Sequence, residues 1–336
     1  MKKKFKFTYS YVLVAICLLM FLIFGCFNSN FFTFDYIMDM LNLNAEICIM
    51  ALPLTLLIIM GCIDFSMCAV LALSAAVGGI VYTFAGPVVG LLVSLLIGVA
   101  CGAFNGFMVS KLKLPPLITT LATMYLYKGA AKAATLASGW GTNVSATPVA
   151  TFLGNTEFLY IPTQLWLIVI LSIVLHIVLS KTVYGRTLYA IGLNENATRF
   201  AGIGVMKIKF ITYALAGLLF AVAGQVLMGR FSTIQYDSAD SFQMQVIIVC
   251  VLGGANMNGG RGTIGGTLLG TLVLSVLKGG MNAVALPQTQ QKIILGIVLL
   301  VSLISFELIA EHELKVKGKA RMKAAAEAHA ARIAQK

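Results

Sequence analysis

Of 336 residues, 59% are hydrophobic and only 11% charged. A water-soluble globular chain carries roughly a quarter charged residues, so most of this chain's solvent is lipid. The 24 basic residues against 12 acidic ones give a formal net charge of +12, which would suit nucleic acid were the charges not set beside apolar runs; that placement points to a membrane and to no nucleic-acid partner.

A hydrocarbon core about 30 Å thick takes about 20 helical residues. Ten apolar runs approach that length, at residues 9–27, 47–63, 67–84, 88–109, 117–137, 162–179, 210–229, 244–255, 264–277 and 293–306. The first follows MKKKFKF and is longer than the apolar region of a secretory leader, so it reads as a retained helix. Run 244–255 is short, so the count is nine or ten, or this segment is broken or re-entrant. The expected fold is an all-α polytopic bundle of about ten transmembrane helices over residues 1–306, with a basic tail at 307–336. With the N-terminus in the cytoplasm, ten spans place nineteen of the 24 basic residues on that side, as the positive-inside rule requires. Asp35, Asp39, Glu46, Glu157, Asp237 and Asp240 then lie outside, and both termini inside.

The 138–161 segment, rich in Gly, Ser, Thr and Asn, reads as an outer loop. Ser94, Gly98, Gly102 and Gly106 recur every four residues, as do Gly262, Gly266 and Gly270; in lipid such small-residue faces let helix backbones approach, within the chain or across a dimer. The seven cysteines sit in or beside apolar runs with no CxxC pair and read as small hydrophobes. No phosphate loop, HExxH or GxSxG motif occurs and the three histidines are scattered, so the chain is read as no enzyme, with no metal site and no cofactor of its own.

Asp64, in GCIDFSMC between two apolar runs, either caps the helix that follows through free backbone N–H groups or touches a solute or ion. Thr119, Thr120 and Thr123 either face a polyhydroxylated solute or bond back to their own helix. Asn105, Asn256 and Asn258 either bind solute or join helices. Lys128 and Lys132 share a helix face and either line an aqueous cavity or snorkel to the interface.

The 181–209 loop is the longest between spans. In YGRTLYAIGLNENATRFAGIG, residues 184–204, Asn194 suits an N-cap, Glu195 the positive end of a helix, and Gly202 a stop two turns later. Ala197, Phe200 and Ala201 fall on one face. A short capped helix with a small apolar knob is the shape of a docking element for a soluble intracellular partner.

That loop, together with NFFTFDYIMDMLN (30–42), GCIDFSMCAVLALSAA (61–76), LPPLITTLATMYLYKG (114–129) and VLGGANMNGGRGTIGGTLLG (251–270), resembles the ribose-type permeases of bacterial ABC importers. Relatives in that group serve other monosaccharides, autoinducer-2 and nucleosides, and branched-chain amino acid permeases are more distant. The resemblance implies the ABC importer permease fold and a multi-pass place in the bacterial inner membrane. It implies a small polar solute, a monosaccharide first, with autoinducer-2, nucleosides or branched-chain amino acids as alternatives. It further implies an ATP-binding subunit that holds ATP and Mg, an extracytoplasmic solute-binding protein, and a second permease copy or paralogue, all amid membrane lipid. By resemblance, Gly185, Arg186, Ala190, Gly192, Asn194, Ala197, Gly202 and Ile203 couple to the ATPase, and the helix-face reading adds Phe200. Asp64, Ser66, Asn105, Thr119, Thr120 and Asn256 are the candidates for the translocation path. Cys62, Met67 and Cys68 depart from the family's smaller residues around Asp64 and Ser66. An ion-coupled secondary transporter is the competing class; it needs buried mid-span ionisable groups, and few are in sight.

Overall fold

The computed structural model describes residues 9–141, 143–301 and 304; the basic N-terminal residues 2–6 and the tail 307–336 lie outside them. The architecture is a mostly helical bundle. Its core is α3 (Ala45–Ile59), in which every residue is buried despite Pro53 inside it. A helix apolar all round has no side for solvent, which is why this run shows no amphipathic pattern. The short amphipathic α2 (Phe34–Asn42) precedes it, and the pair is bent by 49° at the break between them.

Against α3 pack α8 (Thr163–Lys181), α11 (Val205–Phe231), α12 (Phe242–Leu252) and α13 (Ile264–Ala283); α1 (Tyr9–Phe27), α4 (Met67–Ala85), α5 (Pro87–Ser110), α6 (Pro116–Ala137) and α14 (Gln288–Val301) complete the bundle. All ten expected runs are thus helical for most of their length. Among the described residues, five helices are long and apolar enough to cross a bilayer, six if the bent α2–α3 pair is one span. The others fall short for separate reasons. At 11 residues α12 reaches only about 16 Å, and the chain then turns through an irregular 253–262 loop, so this run is too short to cross a bilayer by itself. Helix α6 has the length, but carries Lys128, Lys132 and four buried threonines.

Helix α11 is the pillar of the bundle, and glycines decide how its neighbours reach it. A Cβ on Gly217 would lie 2.1 Å from the Gly98 carbonyl oxygen of α5, and one on Gly102 would lie 2.2 Å from the Tyr213 oxygen of α11. The Ser94 to Gly106 face is therefore a seam within the chain, closed at its upper end by Gln225 Nε2 donating to Ser94 Oγ at 2.8 Å. Gly266 and Gly270 likewise press α13 on α12, against the carbonyls of Gly253 and Val249. Gly262 precedes that helix and belongs to the loop, not to the packed face.

The bundle has two distinct ends. At one, β1 (Val144–Ser145) pairs antiparallel with β4 (Thr233–Ile234), β2 (Glu157–Phe158) with β3 (Ile161–Pro162), and α7 (Pro148–Asn155) packs on α11. Lys128 pairs with Asp240 at 2.7 Å, and Lys132 Nζ stands 5.3 Å from the Tyr236 ring centre. Beside them Arg230 of α11 donates twice to the fully buried Glu46 of α3, at 2.6 and 3.0 Å. Removing one partner of such a pair strands a buried charge, at a cost of about 3–5 kcal/mol. The opposite end gathers the 60–66 turn, the 111–115 turn, the 181–209 loop and the 253–262 loop.

Gly217→Ala should lower the thermal midpoint of the detergent-solubilised chain, because overpacking a close backbone crossing costs about 1–3 kcal/mol. Gly265→Ala adds the same methyl where no atom lies within 4 Å and should leave the midpoint unchanged or slightly raised; fluorescence-detected size exclusion after heating separates the two.

Candidate functional site

The 181–209 loop folds into two helices rather than one. Thr182 Oγ1 accepts from the Gly185 N–H at 3.1 Å and starts α9 (Val183–Leu193). Asn194 then closes α9 and caps α10 (Glu195–Phe200), its Oδ1 accepting from the Ala197 N–H at 2.9 Å. Gly202, at φ +80°, takes the left-handed turn that ends the short helix. Asn194 and Gly202 therefore act as expected from their spacing. Helix α9 was not anticipated, although Thr182 three residues before Gly185 is a capping signal.

The apolar knob faces outward. Ala197, Phe200 and Ala201 are exposed, Phe200 at 91%. The ring stands bare on a turn held by two caps. Arg186 is exposed nearby, whereas Gly185 is buried and Ala190 and Ile203 are half-buried.

Beneath the knob the loop is seated by backbone contacts. A Cβ on Gly192 would fall 1.9 Å from the Ile59 carbonyl at the end of α3, so only glycine fits. The same Ile59 oxygen accepts the Gly260 N–H at 2.8 Å, and Tyr189 OH donates to the Gly262 oxygen at 2.7 Å. Helix α9 thus touches the end of α3 and the 253–262 loop together. It also reaches α11, where Tyr184 OH and Thr212 Oγ1 lie 2.7 Å apart.

An ion-pair triad completes the seat. Glu195 Oε2 accepts from Lys209 Nζ at 2.6 Å and its Oε1 from Arg199 at 2.9 Å. Lys209 sits in the first turns of α11 and is 9% exposed. Partial burial raises the Glu195 pKa, but the hydrogen bond and charge of Lys209, with Arg199 behind it, outweigh burial and hold it below the ordinary carboxylate value. The pair therefore contributes fully at neutral pH and is lost only as pH falls through that depressed value.

The residues considered for a translocation path gather on a different element set. Asp64 Oδ1 accepts from the Ser66 N–H at 2.7 Å and from Ser66 Oγ at 2.6 Å; it closes the turn before α4 and bonds none of that helix's own N–H groups, so the expected cap is replaced by a turn. Asn105 Nδ2 of α5 donates to Ser66 Oγ at 2.8 Å, and Tyr127 OH of α6 donates to Asn105 Oδ1 at 3.1 Å. Thr119 and Thr120 bond back to the carbonyls of Pro115 and Pro116, at 2.9 Å each. Within this one chain Asp64, Ser66, Asn105, Thr119 and Thr120 are all buried, forming a polar seam between α4, α5 and α6. Asn256 stands apart and in no span: its Oδ1 accepts from the Asn258 N–H at 2.9 Å and folds the 253–262 loop. Among the described residues no group of three or more His, Cys, Asp or Glu is placed to hold a metal ion.

Residues 36–303 match the model of a family described as branched-chain amino acid transport system / permease component. The chain belongs to this permease family. It is 35% identical to the ribose import permease protein RbsC of Bacillus subtilis over 80% of its own length and 84% of that protein's. It is 34% identical to the L-arabinose transport system permease protein AraH of Escherichia coli, covering 73% and 74% of the two chains. It is 28% identical to the autoinducer 2 import system permease protein LsrD of Photorhabdus laumondii, over 91% and 93%. The permease is thus a multi-pass, non-catalytic subunit of an ABC transporter and calls for no cofactor of its own.

Glu195→Gln in this permease should release α10 from α11. Its amides, followed by hydrogen exchange in detergent, should exchange about three- to tenfold faster, a modest factor because Glu195 is partly screened by solvent; unchanged exchange would place the anchoring of α10 elsewhere.

Proposed function

We propose that the permease carries a small polar solute, a monosaccharide, into the bacterial cytoplasm as the membrane subunit of an ATP-driven importer. The names of the relatives support the solute class: ribose and L-arabinose transport recur among them, with autoinducer 2 beside them. The observation that carries the mechanism is the bare Ala197, Phe200 and Ala201 knob held over the ends of α3 and α11. We assign it to a groove on the ATP-binding subunit. Gly185, Arg186, Ala190, Gly192, Asn194, Gly202 and Ile203 shape and seat that element rather than all touching the partner. The α9–α10 end is then cytoplasmic, with both termini on that side and the protein in the inner membrane. The β1–β4 end faces outward, where a solute-binding protein delivers cargo.

ATP-driven closure of the partner would push α10, and the ion pair and backbone seat would pass the push to α11, α3 and the 253–262 loop. A two-state switch needs contacts that differ between states, and the irregular loops of this end are the part of the bundle free to change them. The translocation path runs beside α6, between this chain and a second permease copy or paralogue. Helix α6 is long enough to cross yet too polar for a lipid-facing span, and its side away from α4 exposes Tyr125 and Leu126 with Gly129, Ala130 and Lys132. A face of that kind suits protein or water better than lipid. Asp64, Ser66, Asn105, Thr119 and Thr120 back this wall, and Asn256 shapes the loop at its inner mouth.

Ala197→Glu with Phe200→Glu should leave the amount of permease in the membrane unchanged, abolish co-purification of the ATPase and reduce uptake of radiolabelled solute to background. Retained uptake together with a retained complex would remove the knob from the ATPase interface. A panel of pentoses, hexoses and autoinducer 2 offered to the partner binding protein identifies the cargo.

A further inference from the structure

On the membrane-facing side of the α9–α10 end, the seam between α5 and α11 opens into a cleft of about 250 Å3. Phe107 of α5 and Met206, Phe210 and Ile211 of α11 form its walls, and Lys111 and Lys207 stand on its rim. The four wall side chains are all exposed, from 38% for Phe107 to 51% for Ile211. Lys111 Nζ lies 5.3 Å from the centre of the Phe107 ring, so it folds over the mouth instead of reaching away. No carboxylate lines the cleft. The adjoining cavity, of about 300 Å3, shares Ser110 and Met206 with it and adds Lys113. Its one acid, Glu195, is already bound to Arg199 and Lys209. Among the described residues, Lys111, Lys113 and Lys207 form no ion pair.

We propose that this cleft seats one anionic phospholipid, its phosphodiester between Lys111 and Lys207 and an acyl chain along Phe107, Phe210 and Ile211. Charge and shape both select this occupant. The walls are apolar and continue the lipid-facing surface, which suits a hydrocarbon chain, while two ammonium groups at the water boundary leave positive charge that only an anion relieves. A zwitterionic lipid brings its own cation to the same rim and loses that advantage. Basic pockets between spans at a membrane surface attract acidic headgroups in this way, with each lysine worth about fivefold in affinity. Met206 belongs to the cleft and to the cavity that Glu195 and Lys209 line, so the lipid lies one side chain from the anchor of α10. The inference rests on the proposed cytoplasmic placement of this end only in assigning the lipid to the inner leaflet.

The full-length permease, delipidated in neutral detergent, is titrated by native mass spectrometry with phosphatidylglycerol or phosphatidylcholine of matched chains. Phosphatidylglycerol should bind at least roughly tenfold more tightly, and Lys111→Gln with Lys207→Gln should erase that preference. Lys111→Arg with Lys207→Arg should restore it, and Lys181→Gln should leave it intact. Millimolar inorganic phosphate should fail to displace the lipid, since it has no chain for the cleft; displacement would assign the rim to a free anion. Equal binding of the two lipids, a preference that survives the double glutamine variant, or an equal loss in Lys181→Gln would overturn the proposal. Monodisperse elution confirms folding of each variant. Because no ATPase is present, failure here leaves the docking of α10 untouched, and failure of that docking leaves the lipid seat standing.

Discussion

Close backbone approach along α11 is the constraint on which the rest of the structure depends. Gly217, Gly224 and Gly229 each meet a different neighbour: a Cβ there would lie 2.1 Å from the Gly98 oxygen of α5, 2.6 Å from the Leu71 oxygen of α4 and 1.8 Å from the Ala150 oxygen of α7. Lipid offers no hydrophobic drive to bring helices together, so dispersion gained at small-residue crossings and a few polar links must do it. The links sit near the two ends of the same helix: Arg230 on Glu46 at one, Lys209 on Glu195 at the other. A helix pinned so at both ends and crossed closely by three others is suited to move as a rod.

The same economy of side chains governs the seat beneath α10. One carbonyl, that of Ile59, meets Gly192 of α9 and accepts the N–H of Gly260. Three segments far apart in the chain thereby share one point, with no room for a side chain between them. The proposed docking knob above is small, but what it rests on connects to the central helix, the pillar and an irregular loop. Force applied at Phe200 has short covalent and hydrogen-bonded routes into each.

How much of this was legible in the chain depends on how local the cause was. The caps of α10 are local, since Asn194 and Gly202 act within a few residues, and the apolar knob follows from 3.6-residue periodicity. The apolar runs of α4, α5, α8, α11 and α13 are also local, and each is a helix long enough to cross. Helix α12 is as short as its run suggested, ended by the Gly-rich turn that follows it. Asp64 read as a helix cap or a solute contact; it bonds Ser66 instead, which Asn105 of α5 holds from the other side, and no local signal marks that partner. The Ile59 junction leaves no mark beyond ordinary glycines, since backbone meets backbone. Glu46 read as an outer acid; its burial depends on Arg230, 184 residues away. Lys209 read as one cytoplasmic cation among several, and its partner is chosen only by the turn at Gly202.

The central claim is that α10 and the start of α11 move as one body when the partner subunits close. In a background with the seven native cysteines replaced, Glu195→Cys and Lys209→Cys are joined by a short thiol-reactive crosslinker. ATP-driven uptake into proteoliposomes with the ATPase and binding protein is then compared before and after linking. Uptake by the linked protein should match or exceed that of the unlinked protein, which lacks the ion pair, because the two sites keep their distance through the cycle. Uptake that stops on linking, and returns when a cleavable linker is reduced, would contradict the account.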